Sequence, residues 1–248
     1  MKTRAYVLHL ARAVDRLPVA SAIAEALPVP TRIVSAVDGM ALSPSQRSHH
    51  YRERLHFPGY PFRLRAAEIG CFLTHRVAWQ AILADGCDAG LIVEDDVVIA
   101  ADAFERVLAA SVAAIEPGDY IRFPIRARGE NGAVARDLPD AQLLKPRLPG
   151  LGMQMQLVSR EAARRLLEAS FHFDRPVDSF VQMQWIHGAR VLSARPIVVR
   201  EVSAAHGGST IQGRELSVLS KLSHEVCRPL LRLSIRIANE CWRHRAAG

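Results

Sequence analysis

The stretch Ala89-Gly-Leu-Ile-Val-Glu-Asp-Asp-Val-Val-Ile99 places an apolar run directly before three consecutive carboxylates. The apolar run predicts a buried strand, and ligands of open α/β sheets bind beyond the carboxyl ends of such strands. Three carboxylates cannot all be buried unpaired, because each buried charge costs several kcal/mol. Glu94, Asp95 and Asp96 are therefore either hard oxygen ligands for Mg²⁺ or Mn²⁺, or acids at the end of a strand that face solvent or cap the next helix.

Strand and helix patterns alternate on both sides of this stretch. Short β-branched or alternating runs predict strands over Arg4–Leu10, Thr31–Ala36, Ala89–Val93, Tyr120–Ile125, Met153–Ser159 and Arg190–Val199. Apolar residues at helical spacing predict helices over Val14–Leu27, Phe72–Ile82 and Arg160–Ala169, the last with Ser159 as its N-cap. Strands separated by helices predict an α/β sandwich with a mainly parallel sheet.

Two segments lack these patterns. Residues 126–150 are rich in Arg, Gly, Pro and Asp, and predict a long irregular connection. The segment Ser43–Arg65 contains three prolines and many Arg and His residues. Connections of this length are often functional lids, so both segments are candidate mobile loops.

Composition and length predict a folded domain over residues 1–212 and a tail over residues 213–248. A chain of 248 residues that is 49% hydrophobic can bury a substantial core. Its four cysteines form no CxxC pair, which fits a reducing compartment. The first apolar run is too short for a signal peptide, and no run of about 18 apolar residues occurs, so we expect a cytoplasmic protein.

The tail predicts a basic amphipathic helix. Apolar residues recur every three or four positions from Leu216 to Cys241, and the tail carries a net charge of +4 out of +7 for the whole chain. Pro229 is expected to kink this helix. Residues 214–245 either lie on an anionic membrane surface or pack on the protein's own domain.

The acidic stretch is one of several blocks that occur in a recognisable order. The segment Ala67-Glu-Ile-Gly-Cys-Phe-Leu-Thr-His-Arg-Val-Ala-Trp79 precedes Leu91-Ile-Val-Glu-Asp-Asp-Val97. The other blocks are Tyr6-Val-Leu-His-Leu-Ala-Arg12 with Asp15-Arg16, Ala36-Val-Asp-Gly39, Ser159-Arg160 with Ala162, Pro176-Val-Asp178, Pro196 and Ser209. Together they resemble glycosyltransferase family 25 over roughly residues 4–212. The chain departs from the family's usual asparagine at His9 and from its usual serine at Thr74.

The resemblance implies a GT-A-like fold that binds a nucleotide sugar. It implies transfer of a hexose, with galactose from UDP-galactose favoured, to lipopolysaccharide, lipooligosaccharide or another cell-surface glycan, or to collagen. Mn²⁺ or Mg²⁺ held by carboxylates would stabilise the charge on the departing diphosphate. We therefore expect a metal-dependent, inverting glycosyltransferase, cytoplasmic and peripheral on the cytoplasmic face of the inner membrane if its tail binds lipid.

The predicted metal contacts are Asp95 and Asp96. Glu94 is expected to turn toward a backbone or basic partner, because neighbouring strand residues point to opposite faces. His206 follows the last predicted strand. It is either a third metal ligand or a surface-loop histidine.

Other candidate site residues contact the substrates. Asp178 is the candidate general base that removes the acceptor proton; the alternatives are an N-cap for a helix over Ser179–Trp185 or a hydrogen bond to the donor sugar. Arg12 and Arg16 are candidate partners of the donor phosphates, or else solvated arginines. The resemblance also implies site roles for two further residues, Glu68 and His75. The alternative for His75 is a core histidine bonded to a backbone carbonyl.

Two other function classes compete with the transferase. A net charge of +7 also occurs in nucleic-acid-binding proteins. However, no RRM, KH, zinc-finger or helix-turn-helix pattern occurs, aromatic residues make up 6% of the chain, and the acidic stretch would repel phosphate without a metal. We therefore expect no nucleic-acid partner. The remaining alternative is a noncatalytic protein that binds a nucleotide sugar or a glycan on the same fold.

Overall fold

The protein has ten strands and eight α-helices in the part of the chain that the computed structural model describes, residues 1–127, 130–201 and 218–247. The strands are β1 Thr3–His9, β2 Thr31–Ser35, β3 Ala89–Glu94, β4 Val97–Ile99, β5 Asp119–Arg122, β6 Gly132–Asp137, β7 Gln142–Pro146, β8 Met155–Ser159, β9 Arg190–Arg195 and β10 Val199–Glu201. The helices are α1 Leu17–Ala26, α2 Pro44–His50, α3 Ala66–Ala84, α4 Ala101–Ala114, α5 Arg160–Ala169, α6 Val177–Val181, α7 Gln184–His187 and α8 Val218–Ala247. Side chains in α8 are described for residues 227–245.

Eight of the strands form one mixed sheet in the order β2-β1-β3-β8-β5-β9-β7-β6, and β4 pairs with β10 separately. Strand β1 is parallel to both β2 and β3, and β5 is parallel to β9. Strands β7 and β8 run antiparallel to their neighbours. The predicted α/β class and the helical C-terminal segment are therefore confirmed, and the sheet itself mixes three parallel with four antiparallel pairings.

The core forms two layers because side chains of successive strand residues face opposite sides of the sheet. Tyr6 of β1 packs with Phe72 and Trp79 of α3 on one side. The next residue, Val7, packs with Phe104 of α4 on the other side. Helices α3, α5 and α6 cover the first face, and α1 and α4 cover the second. The parallel pairing of β1 with β3 sets Leu8 opposite Glu94, so the carboxyl ends of both strands meet at one edge.

Local chemistry explains several element ends. Ser159 is the N-cap of α5, as predicted, and its hydroxyl accepts a hydrogen bond from the Ala162 amide at 3.2 Å. Pro28 follows closely after α1, which ends at Ala26. Helix α6 begins at Val177 with Pro176 at its N-cap, so the alternative in which Asp178 caps a helix over Ser179–Trp185 is wrong. The fixed φ of Pro176 favours an earlier start.

The prediction of an irregular connection over residues 126–150 is also wrong. The described residues of this segment include the hairpin of β6 and β7 at the edge of the sheet. Most of β6 is exposed, so its sequence lacks the apolar alternation that reveals a half-buried strand. The other segment without a pattern, Ser43–Arg65, contains the short helix α2, which begins with a capping box between Ser43 and Gln46.

Helix α8 packs on the rest of the protein through one face. Ile235 and Asn239 are buried there. The side-chain nitrogen of Asn239 donates to the backbone carbonyl of Gln182 at 2.8 Å, and its side-chain oxygen accepts from the backbone amide of Gln184 at 3.2 Å. Pro229 lies inside α8. The chain's described helices include none that is both long and apolar enough to cross a bilayer.

Candidate active site

A cleft of about 670 Å³ opens where the carboxyl ends of β1 and β3 meet. Its walls come from the turns after β1, β2 and β3, the first half of α3, residues 151–154, the start of α6 and one face of α8. Eight of the nine predicted site residues line this one cleft: Arg12, Arg16, Glu68, His75, Glu94, Asp95, Asp96 and Asp178. The ninth, His206, lies outside the described residues.

Asp95 faces the end of β1. Its Oδ2 lies 2.8 Å from Nδ1 of His9, and its Oδ1 accepts a hydrogen bond from Arg16 at 3.2 Å. Asp95 and His9 are both buried. Both carboxylate oxygens of Asp95 are therefore engaged, and the guanidinium of Arg16 balances its charge.

Asp96 differs from its neighbour although the two are adjacent in sequence. Its Oδ1 is buried, and no described residue hydrogen-bonds to it. Burial, followed by the negative charge of Glu94, raises the pKa of Asp96 to about 7. An opposite charge near a carboxylate lowers its pKa, so a cation in the cleft would favour the ionised form of Asp96.

Glu94 points toward His75 of α3. Its Oε1 lies 3.4 Å from Nε2 of His75, which is fully buried on α3. Nδ1 of His75 lies 3.5 Å from the side-chain nitrogen of Gln156 on β8. The described partners of His75 are thus side chains of the site and not the backbone carbonyl of the alternative interpretation.

Arg12 and Glu68 have local partners at the rim of the cleft. Arg12 forms an ion pair with Asp38 at 2.8 Å. Glu68 accepts a hydrogen bond from the Arg65 amide at 2.7 Å, which ties the first turn of α3 to its N-cap residue. A role in substrate binding would come in addition to these structural contacts.

Two backbone amides hold Asp178 in the cleft. Its Oδ2 accepts from the Gly152 amide at 3.1 Å, and its Oδ1 accepts from the Ser179 amide at 2.6 Å. Gly152 has a φ of +97°, a conformation that side-chain-bearing residues rarely adopt. A glycine at this position therefore lets the chain present its amide to Asp178.

A buried polar network supports the turn before Gly152. Glu130 accepts hydrogen bonds from Arg122, from the Ser193 hydroxyl at 2.5 Å and from the Gly150 amide at 3.1 Å. Arg122 also donates to the carbonyls of Leu151 and Gly152, both at 3.1 Å. This network connects β5 and β9 to the segment that holds Asp178.

Several cleft residues were not expected from the sequence: Asp38, Tyr60, Cys71, Gln182, Glu201, Arg228 and Arg232. Arg228 and Arg232 belong to α8, which lies more than 100 positions after the acidic stretch along the chain. Their spacing of four residues indicates a basic face on an amphipathic helix, but it does not indicate that this face lines the cleft. Cys71 lies in the block before Trp79, four residues before His75 on α3.

The fold and cleft define an α/β protein with an acidic site at the carboxyl edge of its parallel strands. The model of "Glycosyltransferase family 25 (LPS biosynthesis protein)" matches residues 2–126. The chain therefore belongs to glycosyltransferase family 25.

Similar proteins match over shorter segments. "Procollagen galactosyltransferase 2" of Mus musculus is 40% identical over 74 residues, which cover 28% of this chain and 12% of the mouse protein. "Inactive glycosyltransferase 25 family member 3" of Homo sapiens is 36% identical over 97 residues, which cover 37% of this chain and 16% of the human protein. The chain thus matches less than a fifth of the length of either relative.

Solved structures show weak similarity. Mannose-1-phosphate geranyltransferase from Thermus thermophilus has 18% sequence identity and a TM-score of 0.33, with 68% of this chain and 53% of that chain covered. The protein A197 from STIV has 13% identity and a TM-score of 0.34, with 87% of this chain and 100% of that chain covered. Both TM-scores are too low to assign a shared fold.

Proposed function

We propose that this family 25 protein transfers a hexose, with galactose favoured, from a UDP-sugar to a glycan acceptor in cell-surface glycan assembly such as that of lipopolysaccharide. The proposed reaction inverts the anomeric centre and requires Mn²⁺ or Mg²⁺. One observation carries the proposal. The cleft presents a buried carboxylate oxygen of Asp96 that has no partner among the described residues, beside the further acid Glu94.

A divalent cation fits this arrangement. An uncompensated buried carboxylate is costly, and hard oxygen ligands are those that Mg²⁺ and Mn²⁺ prefer. Asp96 would hold the ion, with Asp95 beside it; His206 is a further candidate. When bound, the ion would supply a positive charge that stabilises the departing diphosphate.

Arginines on two sides of the cleft are proposed to bind the donor phosphates. Arg16 already donates to Asp95, but a guanidinium carries five N–H donors and can also bind phosphate. Arg228 and Arg232 approach from α8. The mixture of carboxylates and guanidinium groups suits a ligand that is itself anionic and binds together with a cation.

Asp178 is proposed as the general base. A carboxylate oxygen has two lone pairs, so Oδ1 and Oδ2 can each accept from a backbone amide and still accept from a substrate hydroxyl. The two amides fix the orientation of the side chain, and general-base catalysis depends on such positioning. Removal of the acceptor proton by Asp178 would leave the acceptor oxygen free to attack the sugar.

The outer face of α8 supports a proposed contact with an anionic membrane. Leu230, Leu233 and Ile237 lie on one side of the helix and are more than half exposed. Exposed apolar residues on a basic helix are typical of interfacial membrane binding. The opposite face packs on the domain, so the same helix would hold the cleft near a lipid-linked acceptor.

Liposome flotation with anionic vesicles tests this contact between α8 and the membrane. Flotation that is unchanged by L230S/L233S would contradict it.

A donor screen tests the proposed function. Thermal unfolding is measured with UDP-, GDP- and CMP-sugars in the presence of Mn²⁺. We expect UDP-galactose to raise the Tm, since a ligand at 100 times its Kd stabilises by about 2.7 kcal/mol. Asp96→Asn should lose the Mn²⁺-dependent part of this shift. The matched control is Asp102→Asn, which changes an exposed aspartate of α4 outside the cleft. If no nucleotide sugar binds with Mn²⁺ present, the proposal is wrong.

The relative named "Inactive glycosyltransferase 25 family member 3" favours one alternative, a protein that binds a nucleotide sugar without turning it over. Hydrolysis of UDP-galactose separates the two. An enzyme releases UDP slowly even without an acceptor, and Asp96→Asn removes that activity. A binding protein shows the Tm shift with no release of UDP.

A further inference from the structure

We propose that Cys71, His75 and Glu94 form a second cation site in the cleft, suited to Zn²⁺ and separate from the oxygen-ligand site at Asp96. The ligand atoms of these three side chains all lie within 4.8 Å of one another. Among the described residues, no other group of three Cys, His, Asp or Glu side chains comes this close together. The proposal goes beyond sugar transfer and holds whether or not the protein is a transferase.

The distances fit a tetrahedral zinc site after small adjustments. Zn²⁺ binds thiolate at about 2.3 Å, imidazole at about 2.0 Å and carboxylate at about 2.0–2.2 Å, which sets the ligand atoms roughly 3.3–3.7 Å apart. His75 Nε2 and Glu94 Oε1 are already 3.4 Å apart. The longest separation must close by about 1 Å. The separations that involve Cys71 are the longer ones, and rotation of the Cys71 side chain together with movement of Glu94, whose side chain is 25% exposed at the end of β3, can shorten them.

Helix α3 provides a rigid frame for two of the ligands. Cys71 and His75 are four residues apart and therefore lie on one face of the helix. This is the spacing with which helices present paired ligands to zinc. Phe72 and Trp79 anchor the same helix in the core, so the positions of Cys71 and His75 are set before any ion binds.

Gln156 is placed to orient the imidazole. Coordination through Nε2 of His75 requires that Nδ1 carry the proton, and ligating histidines usually donate that proton to a second group. The Gln156 side-chain amide lies 3.5 Å from Nδ1 and is buried. Rotation of this amide by half a turn presents its oxygen to Nδ1, which then donates.

The ligand types separate this site from the one at Asp96. Sulfur and nitrogen ligands favour Zn²⁺ over Mg²⁺ and Mn²⁺, which favour oxygen. When the ion binds, the thiol of Cys71 loses its proton to solvent, and the thiolate sulfur coordinates the metal. Three protein ligands leave a fourth position for water or a ligand, the pattern of a catalytic or regulated zinc site. All three residues line the cleft, so that position opens to it.

Cobalt spectroscopy on the purified full chain tests the proposal. Co²⁺ occupies zinc sites, and a thiolate ligand produces a charge-transfer absorption band in the near ultraviolet. We expect one equivalent of Co²⁺ to give this band, Zn²⁺ to displace it, and Cys71→Ser to abolish it. The matched control is Cys241→Ser, which removes an exposed thiol on α8 and should leave the band intact. No band in the wild type, or a band that survives Cys71→Ser, overturns the proposal.

Further variants guard against a folding artefact and against confusion with the Asp96 site. Gln156→Ala keeps all three ligands and is expected to weaken Co²⁺ binding about 10–100-fold. Asp96→Asn should keep the thiolate band; its loss would show that the two sites are one and would overturn the proposal. Failure of UDP-sugar binding would contradict the proposed function but leaves the cobalt result unaffected.

Discussion

The two sides of the cleft are built in different ways. The edge side consists of Glu94–Asp96, which follow from the end of β3, and Arg16, which lies at the start of α1 after β1; the adjacent parallel strands β1 and β3 bring these two segments to one edge. The assembled side consists of Leu151, Gly152, Asp178 and α8, which come from separate parts of the chain. Strand pairing therefore positions the first side, whereas buried hydrogen bonds position the second. Variants that remove one kind of support should affect the sides unequally.

The largest effect is expected at the network under the assembled side. Glu130→Ala leaves the buried guanidinium of Arg122 without its partner, and breaking a buried ion pair costs about 3–5 kcal/mol. Urea unfolding measures this loss of stability. The control is Glu168→Ala, whose exposed pair with Arg164 is expected to contribute less than about 1 kcal/mol. Similar losses in both variants would contradict a supporting role for the network.

On the edge side, neighbouring aspartates should respond in opposite directions. The pKa of Asp96 is raised from 3.8 to about 7, so its ionisation destabilises the native state as the pH rises through that range. In metal-free buffer at pH 8, we expect Asp96→Asn to increase the free energy of unfolding, by at most about 4 kcal/mol. Asp95→Asn weakens the pairs with His9 and Arg16 and should decrease it by about 1.5–3 kcal/mol. If both variants raise the free energy of unfolding, or both lower it, the two aspartates do not differ in this way.

A histidine beside the assembled side predicts loss of stability in acid. Burial lowers the pKa of His187 from 6.5 to about 4. Between these values the unfolded chain binds a proton that the native state does not. Stability is therefore complete above pH 6.5 and falls by about 3 kcal/mol as the pH drops to 4. His187→Gln should reduce this slope, measured by urea unfolding across that range, whereas the exposed His244→Gln should not.

The smallest effect is expected where α8 docks. Asn239→Ala removes the side-chain bonds to the backbone of Gln182 and Gln184, at a cost of about 1–3 kcal/mol. Hydrogen exchange should then accelerate in residues 227–245 more than in β1 and β3. Ser234→Ala is the control, because the Ser234 hydroxyl bonds only within α8 among described residues. Equal acceleration in both variants would contradict docking through Asn239.

Much of the fold could be predicted because its signals are local. All six predicted strands are present, although the last divides into β9 and β10. The edge hairpin of β6 and β7 was missed because exposed strands do not need alternating apolar residues. The start of α6 was misplaced because Asp178, a residue type that often caps helices, contacts Gly152 from the first turn instead.

In the candidate site, too, some features can be predicted from local sequence and others depend on the fold. Glu94, Asp95 and Asp96 are recognisable as a group, but their sequence does not distinguish the paired Asp95 from Asp96, whose Oδ1 has no hydrogen-bond partner among the described residues. That difference arises from the turn after β3, which directs one carboxylate toward β1 and the other into the cleft. The convergence of Cys71, His75 and Glu94 likewise depends on how α3 packs against β3.

The amino-acid sequence by itself determined the α/β class, the strand that carries the acidic residues and the family to which the chain belongs, because periodicity and motif order are properties of neighbouring residues. The tertiary structure alone decided which carboxylate oxygen has no hydrogen-bond partner among the described residues, which thiol meets a histidine and a glutamate, and that α8 forms a wall of the cleft. Those features depend on contacts between distant segments, whose energies come from burial and hydrogen bonding after the chain has folded.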